Sequence, residues 1–252
     1  MNASFYPEEE DSGITFIRKD LKEGSPIRLR DFAALKVDTD RRSIVGQNAE
    51  NYVETVEHVL AAAWGAGIDN LRIELDSSEF PSLDGSAEEY LKAFNDAGSK
   101  EQKSERNSII IKEPIWVEEK ESFLGAFPSD TFKVSFILEH SYPTVGRQSF
   151  SKVVDREVFT DQIARARTLW FVPPGPGSAE EKAEQVKKAG YGRGATRENT
   201  LIIEENKILN EPRFADEPVR HGVLDLIGDL YLLERPMRGR VIAIRSGHAL
   251  NV

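Results

Sequence analysis

Four residues in this chain have the types and spacing of a metal-dependent hydrolytic site. His221 and Asp225 are one helical turn apart, so in a helix an imidazole and a carboxylate project from the same face. His58 offers a third ligand, and its neighbour Glu57 is a carboxylate free to handle protons rather than bind metal. Three protein ligands with one open position make the donor set of a catalytic zinc ion. On spacing alone the commoner arrangement is an exposed His221–Asp225 ion pair, with His58 capping a helix start. If a metal is held, two imidazoles and a carboxylate suit the borderline character of Zn2+, and Fe2+ tolerates the same set.

Asp229 lies one turn beyond Asp225 and extends the stripe. A carboxylate there can orient a second imidazole, and His248, after the Arg245-Ser246-Gly247 turn, is the natural partner. An aspartate-held imidazolium stabilises an oxyanion and protonates a departing amine; otherwise His248 is a surface residue near the C-terminus. The chain has four histidines and no cysteine, which excludes thiolate sites, disulfides and cysteine nucleophiles and fits a reducing compartment. His140 carries no evident role.

The elements that must hold these residues follow from periodicity and breakers. The pattern predicts a strand at Ile14–Arg18, strands within Pro26–Val45, a helix over Val56–Ala66 capped by Thr55 and stopped by Gly65 and Gly67, a strand at Leu71–Leu75 and a helix over Ala87–Ala97. Gly98–Arg106 is polar and aperiodic, the character of a linker, and separates a unit of residues 1–105 from one of 106–252. The second unit reads as strands at Ser108–Ile111, Ile115–Glu119, Ser122–Pro128, Thr131–Leu138 and Gln148–Val153, helices over Thr160–Arg167 and Val219–Leu233, and a strand at Val241–Arg245. An irregular excursion at about 171–200 contains a helical stretch, Ala179–Lys188. Strands followed by helices, twice, indicate an α+β architecture of two similar two-layer units.

A net charge of −10 disfavours nucleic acid as the main partner. No stretch approaches the ~20 apolar residues of a membrane span, and no signal-peptide pattern precedes Ser4–Glu10. A soluble, cytoplasmic protein is expected.

The wording around these residues carries more information than their spacing. The segments Thr55-Val-Glu-His58, Leu83-Asp-Gly-Ser-Ala87, Ala164-Arg-Ala-Arg-Thr168, His221–Leu233 and Ser246–Asn251, in this order, resemble the UDP-3-O-acyl-N-acetylglucosamine deacetylases, zinc hydrolases of lipid A biosynthesis. The resemblance implies two sheet-plus-helices layers packed through their helices with the metal between them. It also implies His58, His221 and Asp225 as ligands, Glu57 as general base and an Asp229–His248 pair. By the same likeness the Thr168 hydroxyl stabilises the oxyanion, the turn carrying Asp84 borders the site, and Arg245 takes a substrate phosphate. The expected substrate is a UDP-linked acylated amino sugar that enters past the 171–200 insert. Another N-acetyl amino sugar, or a non-catalytic relative keeping the metal for structure, is the competing reading; only three evident ligands favour catalysis.

Four departures stand out against that family. Gly222 replaces a lysine that meets the substrate head group, so a lysine restored there is expected to tighten nucleotide-sugar binding. Leu169-Trp170-Phe171 replaces a Phe-Gly-Phe run, so that an indole either fills the space where the nucleotide-sugar would lie or offers it a stacking plate. Arg193 puts a guanidinium in an insert tip expected to be apolar. The chain begins at Phe5-Tyr-Pro without the family's opening strand and its Gly-Leu-His turn, which is expected to leave a sheet edge exposed.

Overall fold

The structure is a computed structural model that describes residues 1–22, 25–34, 36–38, 42–188, 192 and 194–252. Its first half comprises β1 (Ala3–Pro7), β2 (Ile14–Arg18), β3 (Ile27–Arg28), a 3-10 turn at Leu29–Ala34, β4 (Lys36–Asp38), β5 (Ile44–Gly46), β6 (Tyr52–Glu54), α1 (Glu57–Ala66), β7 (Leu71–Leu75) and α2 (Glu88–Ala97). The second half holds β8 (Ile109–Ile110), β9 (Ile115–Glu119), β10 (Ser122–Phe127), β11 (Phe132–Glu139), β12 (Arg147–Val153), α3 (Arg156–Gln162), β13 (Thr168–Phe171), α4 (Ala179–Lys188), β14 (Thr200–Glu204), β15 (Lys207–Ile208), α5 (Glu217–Leu230), a 3-10 turn at Tyr231–Leu233, β16 (Met237–Ile244) and α6 (His248–Asn251). The fold is α+β, as expected.

One sheet has the order β1-β7-β2-β3, and β4-β5-β6 form a smaller one beside it. In β2 and β7 alternate residues are buried, so Ile14 and Phe16 and Leu71, Ile73 and Leu75 face the helices. The large sheet of the second half runs β12-β11-β16-β10-β9, with β8 pairing the start of β16. A continuous core draws on both halves, from Phe16, Leu60 and Phe80 to Phe136, Phe159, Leu224 and Val241.

The chain opens on a strand at the edge of the first sheet. β1 pairs antiparallel with β7 from Ala3↔Leu75 to Pro7↔Leu71, and Phe5 packs edge-on against Phe94 at 5.1 Å. Thr55 is not a cap: it has φ 61°, and α1 begins after Val56 with no side-chain cap. Gly67, in the left-handed conformation, ends α1, whereas Gly65 lies inside it against the Phe159 ring.

The helix predicted over 160–167 instead runs Arg156–Gln162, because the Asp155 side chain accepts from Val158 N and starts it earlier. Residues 163–167 then turn into β13. The three-stranded sheet β13-β14-β15 departs from the expected elements: β13 pairs β14 only across the 171–200 excursion, and β15 is a two-residue strand that closes a hairpin with β14. The polar segment 98–106 forms no helix or strand, and Arg106 ties its end to Asp69 and the Tyr231 hydroxyl.

Nearly every residue of α1 is buried, which fits its apolar run Val59-Leu-Ala-Ala-Ala63 and marks it as a central helix. It packs against α2, α3 and α5. The α1–α5 crossing is close: a Cβ placed on Gly228 would stand 2.0 Å from the carbonyl oxygen of Glu57. Only glycine fits there, and the contact sets Glu57 and His58 beside the stripe of α5.

Candidate metal centre and active site

The α1–α5 crossing brings the first turn of one helix onto the polar stripe of the other. His58 Nε2 lies 3.5 Å from Asp225 Oδ1, and His221 Nε2 lies 3.3 Å from Asp225 Oδ2. One ligand atom from each of His58, His221 and Asp225 lies within 4.8 Å of the other two. The two imidazoles meet edge-on at 5.3 Å. His221 donates from Nδ1 to the Ala166 carbonyl at 3.2 Å, which leaves Nε2 bare toward the cluster.

These residues fit a cation. Ligand atoms around tetrahedral zinc with bonds of ~2.0–2.1 Å are about 3.3 Å apart, close to both His–Asp separations. Asp225 Oδ1 is buried yet has no hydrogen-bond partner among the described residues, an expensive state for a carboxylate oxygen unless a positive centre faces it.

The electrostatics follow from packing. Burial opposes ionisation of Asp225, but the imidazoles of His221, His58 and His248 outweigh it and hold its carboxyl well below the usual range. Burial pushes Glu57 up, against the pull of His248 and His58. It pulls His221 down, whereas in His58 it is overcome by Asp225 and Glu57, which carry that imidazole up. Burial also opposes protonation of His248, yet its hydrogen bond to Asp229 and the charges of Asp225, Asp229 and Glu57 raise it to about 10.

His248 begins α6 and turns Nδ1 onto Asp229 Oδ2 at 2.8 Å, with Nε2 3.9 Å from Asp225. Sequence reasoning missed two residues on the same carboxylate. Ser43 Oγ donates to Asp229 Oδ1, and Asn251 Nδ2 donates to Asp229 Oδ2 at 2.7 Å. Asn251 stands in the Ser246–Asn251 wording, three residues past His248, and that proximity was the available signal. Ser43 had none.

Thr168 opens β13 and donates through both N and Oγ1 to the Gly85 carbonyl, so the turn carrying Asp84 does border this region. Just before it, the buried Arg167 clamps the fully buried Glu217 at the start of α5 with a 2.9 Å pair and also reaches the carbonyls of Glu198 and Glu211. Glu217 in turn takes Arg213 N, and Arg213 pairs with Asp84. Residues 166–168 thus tie one ligand, one helix start and one turn together.

Other expected residues lie outside this cluster. Arg245 sits at the surface with its guanidinium on Glu139 and Glu121. Leu169 packs with Val145, Leu201 and Ile203, and Phe171 in the same group stacks on His140 at 3.7 Å. Trp170 faces the other way, onto Val172, Ala179 and Ile202 under α4. Arg193 lies outside the described residues. A Cβ at Gly222 would meet the ring of buried Phe136 at 2.9 Å, so a lysine there cannot enter without displacing core. That corrects the expected gain from restoring it.

Over residues 1–252 the chain matches the family described as UDP-3-O-acyl N-acetylglycosamine deacetylase. The chain belongs to this family. It is 39% identical to the UDP-3-O-acyl-N-acetylglucosamine deacetylase of Anaeromyxobacter sp. (strain Fw109-5), covering 97% of this chain and 77% of that one. Against the proteins of the same name from Campylobacter hominis and Myxococcus xanthus identity is 36% in each case, covering 97% and 95% of this chain and 80% and 73% of theirs. For a deacetylase of this family, the His58–His221–Asp225 cluster is a possible metal site, and no helix among the described residues is long and apolar enough to cross a membrane.

Proposed function

We propose that this chain hydrolyses the N-acetyl group of a UDP-linked 3-O-acyl-N-acetylglucosamine, releasing acetate and a free amine, with zinc held by His58, His221 and Asp225. The observation that carries the reading is the Asp225 carboxylate set between the imidazoles of His58 and His221, its Oδ1 without a hydrogen-bond partner among the described residues, beside a buried carboxylate and an Asp-held histidine. When bound, the cation supplies Lewis acidity, polarising the acetyl carbonyl and sharpening water as a nucleophile.

The chain's own residues divide the proton work. Glu57, raised by burial, takes the proton of the attacking water at its carboxylate. His248 is cationic at neutral pH, held by Asp229, and offers Nε2–H to the developing oxyanion and then to the departing nitrogen. Glu57 or His248 thereby returns the proton that the leaving amine requires. Thr168 turns its hydroxyl from Gly85 to the same oxyanion. Leu169, Trp170 and Phe171 are each half-buried on β13, and the faces they leave open are the proposed contacts for the sugar, nucleotide or acyl chain; Arg193 is proposed from the sequence alone.

Two units meeting near residue 105 supply the base and the acid respectively. The substrate class and the absence of cysteine fit the cytoplasm. Fe2+ would serve the same ligands.

The test is metal analysis with a deacetylation assay on acylated and unacylated UDP-N-acetylglucosamine. One ion per chain is expected, lost in His58→Ala, with turnover preferring the acylated sugar. Retention of the ion in His58→Ala, or no release of acetate from either sugar, sinks the proposal.

A further inference from the structure

Ser43 is fully buried and stands just before β5, far in the chain from the stripe of α5. Even so, its backbone N–H donates to Glu57 Oε2 at 3.1 Å, and its hydroxyl donates to Asp229 Oδ1 at 2.5 Å. The hydroxyl also stands 3.5 Å from His248 Nδ1. Its carbonyl takes Thr55 N at 2.9 Å, which anchors the backbone just ahead of α1. Every polar group of Ser43 is therefore engaged, and two of them reach the two carboxylates of the proposed proton machinery.

The second contact settles an orientation. Asp229 Oδ2 already receives His248 Nδ1 and Asn251 Nδ2. The terminal torsion of an aspartate is broad, so donors on one oxygen alone leave the carboxylate plane poorly defined. Ser43 on Oδ1 fixes that plane and with it the imidazole. Ser246 closes the same loop by donating to Asn251 Oδ1.

We propose that Ser43 is a positioning residue that ties Glu57 to the Asp229–His248 pair, holding the proton acceptor in one half and the proton donor in the other in register over one reacting carbon. This inference rests on the deacetylase reading above. Glu57 and His248 belong to different elements, α1 and α6, and misplacement of reacting groups by ~1 Å can cost ~100-fold in rate. Ser43 touches neither metal ligand nor substrate; it acts through the groups it holds.

The experiment compares metal-loaded wild type, Ser43→Ala, His248→Ala and the double variant, with metal content and circular dichroism recorded for each. Ser43→Gly, which also keeps the backbone N–H, replaces Ser43→Ala if that variant fails to fold. Losing a hydrogen bond to a buried charged group is expected to lower kcat ~10- to 100-fold, with KM within about twofold, metal content unchanged and, in the His248→Ala background, little further loss. A kcat within twofold of wild type, or an equal loss in both backgrounds, overturns the inference. If wild type releases no acetate, the deacetylase reading falls by itself. Ser43 is then judged by the proton resonance of His248 Nδ1: it should move upfield in Ser43→Ala, and an unmoved resonance overturns the positioning role.

Discussion

Gly228→Ala tests whether the α1–α5 crossing sets the metal site. The added Cβ would stand 2.0 Å from the Glu57 carbonyl oxygen, about 1.4 Å short of the 3.4 Å where ordinary contact begins. The atom in the way is backbone of a nearly all-buried helix, so no side chain can swing aside and the helices must part. His58 follows Glu57 on α1 and Asp225 precedes Gly228 by three on α5, so a parting of about 1 Å widens the His58–Asp225 edge from 3.5 Å beyond what zinc with ~2.0–2.1 Å bonds accepts. Overpacking of this kind costs ~1–3 kcal/mol of stability, and loss of geometry on that scale costs ~100-fold in kcat/KM. Denaturant unfolding, metal content and acetate release measure the three effects. A folded Gly228→Ala that keeps its metal and more than a third of wild-type kcat/KM would falsify the idea that this contact positions the ligands.

Glu57→Gln preserves shape but removes the proposed base, so metal should be retained and kcat should fall ~10²- to 10⁴-fold; unchanged kcat moves the base elsewhere. In the metal-stripped protein His248 is raised from an unfolded value of ~6.5 to about 10. Its stabilising contribution is therefore fully present below ~6.5 and lost as pH rises through about 10. Tm should decline over that window, and the decline should shrink in Asp229→Asn; equal slopes in the two proteins contradict the assigned cause. Gly222→Lys should destabilise by ~1–3 kcal/mol through Phe136 and leave substrate KM no lower, so a lower KM at unchanged stability would show that the site has room for the lysine.

Much of the secondary structure was legible because it is local. The alternation of Ile14–Arg18 and Leu71–Leu75, the helical stretch Ala179–Lys188 and the strand Ile115–Glu119 fall where periodicity put them. The possible metal cluster of His58, His221 and Asp225 was legible for the same reason, since one helical turn joins His221 to Asp225 and a short motif carries His58. The sequence by itself determined which donors exist, that no thiolate competes with them, and the family to which the chain belongs.

Tertiary structure alone decided how those donors converge. Ser43 meets Asp229 across 186 residues, and no local pattern encodes a contact of that range. The helix-to-helix approach at Gly228 is likewise invisible in a stretch that reads as an ordinary helix with two glycines. Gly222 shows the converse, because a motif position implied a role that a core ring leaves no room for, while Arg245 rests on two carboxylates that no local pattern announces. Residue type and spacing set what a side chain can do. Which partner it has depends on packing among elements distant in the chain, where burial makes each polar group find whichever donor or acceptor the fold brings within reach.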